Sequence, residues 1–247
     1  MRKVFILIES DGREITEFPT VRRMLSAIKM AVAEQTSQPT SVEVVAANYF
    51  LSEDGILSHS QGQTFSQLQE IICCPLTLSL PDNLSLPFER IIKACRDVTG
   101  LRQQLAQQMQ VAIGDGCFWL PIVLTAKGPL YGEVITIAEE YNGKKLPENL
   151  LICDFSYYQP YHLSDALRQP LYQMAYNLLQ SLSAPPATYL VQFGVQTSDI
   201  CFDRLWPFPT APALASVGVQ QPDLFTCHWY CLTAQPILDL TIMPIVK

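Results

Sequence analysis

The stretch TYLVQFGVQTSDICFDRLW, from Thr188 to Trp206, decides the fold class of this chain. Its first half has apolar side chains at every second position, the period of a half-buried strand: Tyr189, Val191, Phe193 and Val195. The polar turn Gln196–Asp199 separates this run from a second β-prone run that ends at Trp206. The stretch therefore predicts an antiparallel hairpin in the second half of the chain.

Other segments of this half fit the same sheet. Phe118–Thr125 and Tyr131–Ile137 are apolar and β-prone, and the five residues between them predict a second hairpin with a longer loop. Further elements follow along the chain: a strand at Leu150–Tyr157, a long helix at Leu163–Leu182 that contains Pro170, and a last strand at Ile237–Met243. The segment Leu224–Cys231 fits either a helix or a strand. The second half thus predicts a largely antiparallel sheet with one long helix.

The first fifty residues have the pattern of a β-α-β unit. Val4–Ile8 is a short, continuous apolar run, which is typical of a buried strand. A helix with its apolar positions three and four residues apart follows from Pro19, and Val42–Phe50 is a second strand. The connection between the two strands is long enough for a crossover, so we expect them to be parallel.

Helices are predicted for most of the rest of the first half. Phe65–Cys73 is a short helix candidate, and a longer helix begins near Pro87, with Gly100 as the point where it bends or divides. Together the segments predict an α+β (mixed α/β) fold. The turn at Gly114–Gly116 suggests a boundary between a helix-rich β-α-β half, 1–113, and an antiparallel sheet half, 114–247. A single domain over 1–247 remains an alternative.

Composition excludes several classes of partner. Of the 247 residues, 49% are hydrophobic and 16% charged, and the net charge of −7 leaves no basic stripe with which to bind nucleic acid. No apolar run approaches the roughly 20 residues of a membrane span. The eight cysteines are scattered, and without a secretory signal they are expected to be reduced, buried thiols. We therefore expect an acidic, soluble, cytoplasmic protein.

The most metal-like motif is Cys227-His228-x-x-Cys231, because thiolates and imidazoles are good zinc ligands. A structural zinc site needs about four ligands, usually from two paired knuckles. The adjacent pair Cys73-Cys74 is poorly shaped to supply the second knuckle, and Trp229 inside the motif indicates packing instead. The sequence therefore predicts no metal and no cofactor, with Cys227, His228 and Cys231 as weak candidates.

A second group of polar residues could form an enzyme site. Lys127 lies between the two strands of the 118–137 hairpin, where it could hold an anionic group. Glu133 and Asp154 could serve as acid, base or metal ligands. The alternative is that the acids and lysines of this region, including Glu139 and Glu140, form a solvated hairpin end.

The segment Lys127-Gly128-Pro129-Leu130-Tyr131-Gly132-Glu133 resembles the nucleotide-binding hairpin of ATP-grasp ligases. The resemblance covers Pro121 to Ile135. The acidic and Asn metal-binding signature that follows in that family is missing here, and neither a Walker-type loop nor a Gly-x-Gly-x-x-Gly motif is present. The resemblance implies a nucleotide site at the hairpin, but it does not extend to the activity of the family.

The third candidate is the aromatic and proline-rich segment near 203–212. It combines residue types that dominate protein–protein interfaces: Arg204, Trp206 and Phe208, with Trp229 nearby. The alternative is that the aromatic side chains pack into the protein's own core. Because catalytic motifs are absent, the sequence favours a non-catalytic adaptor or assembly factor that binds a protein partner through this segment. The alternative is a small-molecule or nucleotide-dependent enzyme with its site around 127–140 and Asp154.

Overall fold

The computed structural model describes residues 2–9, 18–35, 40–47, 71–80, 86, 88–137, 155–197 and 199–244. The first sheet has three parallel strands in the order β2-β1-β3. Its elements are β1 (Arg2–Ile8), α1 (Pro19–Gln35), β2 (Thr40–Ala46) and β3 (Ile71–Pro75). The apolar run of β1 is buried between strands β2 and β3 and shares one core cluster with residues of α1. The predicted parallel β-α-β unit is confirmed.

The predicted helix at Phe65–Cys73 is wrong where the structure describes it. Residues 71–73 belong to β3, which pairs with β1 in parallel register from Lys3–Ile71 to Leu7–Pro75. The remainder of the segment lies outside the described residues. Two β-branched isoleucines followed by two cysteines suit a buried strand, and pairing with β1 satisfies backbone groups that a local sequence pattern does not reveal.

Two helices connect the sheets, α2 (Glu89–Arg96) and α3 (Val98–Met109). They divide at Asp97, three residues before the predicted point at Gly100. The Asp97 carboxylate accepts the N–H of Gly100 at 2.9 Å and so caps the start of α3. A Cβ atom on residue 100 would lie 2.2 Å from that carboxylate, so the Asp97 side chain would have to shift and lose this capping position.

The second sheet has seven strands in the order β4-β10-β9-β5-β7-β8, with β6 also paired to β5. The strands are β4 (Ala112–Ile113), β5 (Phe118–Thr125), β6 (Gly128–Tyr131), β7 (Val134–Ile137), β8 (Tyr157–Tyr161), β9 (Ala187–Gln196) and β10 (Asp199–Trp206). All pairs are antiparallel except β4 with β10. The hairpin predicted at 188–206 is confirmed as β9–β10. The strand predicted at 131–137 is divided at Gly132 and Glu133 into β6 and β7.

The remaining described elements are one helix between β8 and β9 and four short elements after β10. They are α4 (Asp165–Ser181), a 3-10 helix (Ala211–Ser216), β11 (Gln220–Gln221), α5 (Leu224–Leu232) and β12 (Thr241–Ile242). The predicted long helix is confirmed as α4, with Pro170 near its start. The predicted last strand is reduced to two residues, and the ambiguous segment from Leu224 is a helix. The predicted α+β fold is therefore confirmed.

One hydrophobic core joins the two sheets. Helix α5 packs against β5 and β9, and α1 packs against α5 and the 3-10 helix. The same cluster of buried side chains contains Ile28 of α1 and Trp229 of α5. The division into halves at 113 and 114 remains a prediction. Among the described residues, no helix is long and apolar enough to cross a membrane.

Candidate active site

The β5–β6 hairpin holds Lys127 at its tip. The Thr125 hydroxyl accepts the N–H of Lys127 at 3.1 Å and donates to the carbonyl oxygen of Gly128 at 2.9 Å. Gly128 has a φ of 127°, a conformation that side chains disfavour, so the glycine is required for this turn. The Lys127 side chain is exposed. Its ammonium group can therefore contact an anionic ligand at the tip of the hairpin.

Glu133 lies at the other end of β6. The N–H of Gly132 donates to the carbonyl oxygen of Pro121 at 2.9 Å, which brings the chain back against β5. The Glu133 Oε2 atom is 3.7 Å from His162 Nδ1. The four residues of β6 lie between Lys127 and Glu133, and at about 3.3 Å per residue they span roughly 13 Å of backbone. The structure thus brings Glu133 to His162 rather than to Lys127, while Asp154, Glu139 and Glu140 lie outside the described residues.

A chain of two glutamines fixes the backbone beside Glu133. Gln159 Nε2 donates to the carbonyl oxygen of Glu133 at 2.9 Å and to Gln220 Oε1 at 3.1 Å. Gln220 Nε2 donates in turn to the carbonyl oxygen of Pro222 at 2.8 Å, and this acceptor sets the orientation of both amides. The Gln159 Oε1 atom is then a buried acceptor without a hydrogen-bond partner in the described part of the chain.

Two tyrosines form an aromatic wall near this site. The rings of Tyr131 and Tyr172 stack with centroids 4.2 Å apart and an interplanar angle of 8°. Burial raises the pKa of both phenols; at Tyr172 the positive charge of Arg168 opposes this rise and the negative charge of Glu133 adds to it, with a net rise of the pKa. Both are therefore neutral near pH 7. A carboxylate, an imidazole and a neutral aromatic surface are suitable for acid–base chemistry on a small molecule.

A third polar group, which we call the Asp203 network, surrounds the buried carboxylate of Asp203. Its Oδ1 atom accepts from Arg102 Nη2 at 2.6 Å, and its Oδ2 atom accepts from Gly116 N at 2.9 Å and from Gln192 Nε2 at 3.0 Å. Burial lowers the pKa of the Arg102 guanidinium, but hydrogen bonds to Asp115 and Asp203 together with their charges give a net rise. Sequence reasoning missed this network because its members are distant in the chain.

The aromatic segment near 203–212 lies inside the protein. Only 8% of Trp206 and 1% of Phe208 are exposed, and Trp206 Nε1 donates to Gln192 Oε1 at 3.2 Å. The Arg204 guanidinium lies 5.6 Å from the centroid of the Trp206 ring, and its Nε donates to Asp203 Oδ1 at 3.3 Å. These aromatic rings therefore form part of the core in this chain.

In the Cys227–Cys231 motif on α5, Cys227 and His228 are buried together with Trp229, and Cys231 is half-buried. The two thiols face carbonyl oxygens, Cys227 that of Pro222 and Cys231 that of Leu124, each at 3.5 Å. Burial raises the pKa of Cys227 and raises that of Cys231 to about 12, so both are protonated at neutral pH. Across the described ranges, no three histidine, cysteine or acidic side chains converge in a way that could hold a metal ion.

Comparison with known proteins gives a fold. No protein-family model and no curated protein matches the sequence. Among solved structures, glycinamide-RNase-transformylase T from Mycobacterium tuberculosis is similar, with a TM-score of 0.63 and 12% identity over 96% of this chain and 82% of that chain. N5-carboxyaminoimidazole synthetase from Staphylococcus aureus, complexed with ADP, has a TM-score of 0.65 and 9% identity over 98% and 80%. An ATP-grasp superfamily protein from Archaeoglobus fulgidus has a TM-score of 0.60 and 9% identity over 97% and 90%.

These similarities overturn the main functional prediction. A non-catalytic adaptor that binds a partner through the segment near 203–212 is wrong, because the similar structures include a transformylase and a synthetase. The burial of Trp206 and Phe208 removes the exposed surface on which that prediction depended. The fold also agrees with the resemblance of the Pro121–Ile135 hairpin. The chain therefore has the α+β fold found in ATP-grasp proteins.

Proposed function

We propose that this protein is a nucleotide-dependent enzyme that acts on a small molecule. The observation that carries the proposal is the shared fold, which extends over 98% of this chain in the comparison with a synthetase that is complexed with ADP. Similar folds can host different functions, so the site must supply the rest of the case.

The contacts around β6 support a site on this hairpin. Lys127 offers an exposed positive charge to an anionic group. At the other end of β6, Glu133 is about one third exposed and His162 about three quarters exposed, with Glu133 Oε2 3.7 Å from His162 Nδ1. A carboxylate and an imidazole are side chains of the kind that act as general acid and base. Asp154 remains the predicted third member of the site.

Binding of ADP and ATP to the full chain tests the proposal directly. Isothermal titration calorimetry should give a dissociation constant within the range of about 1 μM to 1 mM that enzymes show for their substrates. Thermal unfolding with and without nucleotide gives an independent measurement, because a ligand that binds only the folded state raises the melting temperature. If neither experiment detects binding with ligand up to about 1 mM, the proposal is wrong.

Two substitutions locate the site. Lys127→Ala should weaken nucleotide binding about tenfold or more, since a charge-assisted hydrogen bond contributes about 1.5–3 kcal/mol. Glu133→Ala should reduce turnover or the affinity for the second substrate. Lys29→Ala and Glu34→Ala are matched controls, because both residues are exposed on α1, outside the second sheet. If nucleotide binding and turnover survive both changes in the hairpin, the site lies elsewhere.

We also propose a cytoplasmic location. The described cysteines are free thiols, including the neighbours Cys73 and Cys74, whose pKa values are raised by burial. Reduced cysteines are typical of cytosolic proteins. Fractionation of cells that produce the protein, followed by thiol labelling after denaturation, would test this. Recovery of the protein outside the cytoplasm, with its cysteines paired, would contradict it.

A further inference from the structure

Enzymes that use nucleotides commonly hold a divalent cation against the phosphate groups, with carboxylate and other oxygen ligands. Asp203 is the one acidic residue whose side chain is buried among the residues that the structure describes, with 3% exposed. It lies on β10 in the second sheet. We therefore ask whether the Asp203 carboxylate could be a ligand of such a cation.

The acceptor capacity of Asp203 is already occupied. An ionised carboxylate offers about four lone-pair positions. Four donors face the two oxygen atoms: Arg102 Nη2 at 2.6 Å and Arg204 Nε at 3.3 Å on Oδ1, and Gly116 N at 2.9 Å and Gln192 Nε2 at 3.0 Å on Oδ2. A cation could bind this carboxylate only by displacing one or more of these donors.

The charges around Asp203 also oppose a cation. Two guanidinium groups, those of Arg102 and Arg204, lie within hydrogen-bond distance of Oδ1. The carboxylate of Asp115, which is half exposed, is likewise bonded to Arg102, at 3.0 Å. A divalent cation beside Asp203 would meet these two positive charges at close range, which like-charge repulsion disfavours, and the Asp115 carboxylate that could attract it is already paired with Arg102.

We infer that the Arg102 guanidinium takes the place of a divalent cation at Asp203, so that this carboxylate holds the polypeptide together and binds no metal. The inference bears on nucleotide binding only if the function proposed above is correct. The statement that Asp203 binds no metal does not depend on that function. Asp203 joins α3, the turn at Gly116 and strand β9 through side-chain and backbone hydrogen bonds. The nucleotide is then bound without a cation on Asp203.

Manganese binding tests the inference without any nucleotide. Titration of Mn²⁺, followed by electron paramagnetic resonance, is compared between the full-length wild type and Asp203→Asn. The two proteins should bind the same number of ions with affinities within about threefold. Asp115→Asn is the matched control, because it changes a carboxylate that contacts the same arginine from the exposed side. A site that is lost, or weakened about tenfold, in Asp203→Asn but not in Asp115→Asn would overturn the inference.

A second pair of measurements keeps the test decisive if Asp203→Asn does not fold. The double variant Arg102→Gln/Asp203→Asn removes both charges together, which avoids an unpaired buried guanidinium. The same Mn²⁺ comparison is then made with this protein. The affinity for ADP is also measured in Mg²⁺ and in EDTA for the wild type and for the Asp203 variant. The ratio of the two affinities should be the same in both proteins. Failure of the wild type to bind ADP would refute the proposed function, while the Mn²⁺ comparison would still decide the inference.

Discussion

His228 should make the stability of the fold depend on pH. The imidazole lies within α5 with 1% of its surface exposed, and its Nδ1 atom accepts the N–H of Thr188 at 3.3 Å. Its Nε2 atom has no hydrogen-bond partner within the described ranges. Burial lowers the pKa of His228 from the ordinary 6.5 to about 3, because the charged imidazolium would lose its hydration.

The direction and size of the effect follow from the two pKa values. Between about pH 6.5 and pH 3 the unfolded chain binds a proton at His228 and the folded chain does not, so the free energy of unfolding falls as the pH is lowered. Above pH 6.5 the contribution is complete. With about 1.36 kcal/mol for each pH unit below 6.5, the loss at pH 5 is about 2 kcal/mol relative to pH 7.5.

Urea unfolding followed by tryptophan fluorescence measures this difference. The wild type and His228→Gln are compared at pH 7.5 and pH 5, and contributions from other titrating groups cancel between the two proteins. The wild type should lose about 2 kcal/mol more than the variant. His162→Gln is the control, because that side chain is 76% exposed and should follow the wild type. An identical pH dependence in wild type and His228→Gln would refute the reasoning.

Three other substitutions test the packing around the second sheet. Asp203→Asn should lower the free energy of unfolding by about 2–3 kcal/mol. The loss is smaller than for a fully buried ion pair because the Arg102 side chain is 25% exposed. A loss below about 1 kcal/mol in urea unfolding would show that the pair contributes little to stability. Gly116→Ala should lower the free energy of unfolding by at least about 3 kcal/mol, because the new Cβ atom would lie 1.9 Å from the Phe193 carbonyl oxygen. A thermal unfolding curve like that of the wild type would show that this close approach is absent. Asp223→Ala should cost about 1 kcal/mol, because the carboxylate caps α5 through the N–H groups of residues 225 and 226, and urea unfolding with no loss would argue against that cap.

The strands that sequence reasoning predicted well carry their signal within a few residues. The continuous apolar run in β1 is buried from Val4 to Ile8. The alternation in β9 locates the strand but not an exposed face, because residues 187–194 are all buried, including the polar Thr188 and Gln192. The segment at Ile71 is predicted as a helix because apolar residues from Phe65 to Ile72 recur on one side of a helix, whereas its pairing with β1 is set by residues nearly seventy positions away. The helix from Leu224 was ambiguous for a similar reason, because its residues from Leu224 to Trp229 are all buried and leave no polar face to reveal the period.

The site was harder to predict than the fold. The position of Lys127 at a turn is predictable from the residues around it, but the strand that separates it from Glu133 is not, because residues 128–130 are expected in the loop and belong to β6 instead. The contact of Glu133 with His162 depends on the pairing of β7 with β8, which brings Val134 opposite Tyr161. The Asp203 network depends in the same way on a β-bulge near Phe202, where the register of β10 against β9 shifts. Neither arrangement leaves a pattern in the order of the residues.

The packing of α1 against α5 has a consequence for the independence of the two ends of the chain. Helix α1 connects two strands of the parallel sheet, whereas α5 packs against strands of the antiparallel sheet. Apolar residues of both helices meet in the shared core. A fragment that begins at residue 114 would present this side of α5 to water and should aggregate when it is produced alone. Co-production of the two fragments should rescue soluble material through reassociation, so that this polypeptide is better suited to fragment complementation than to separate purification of its halves.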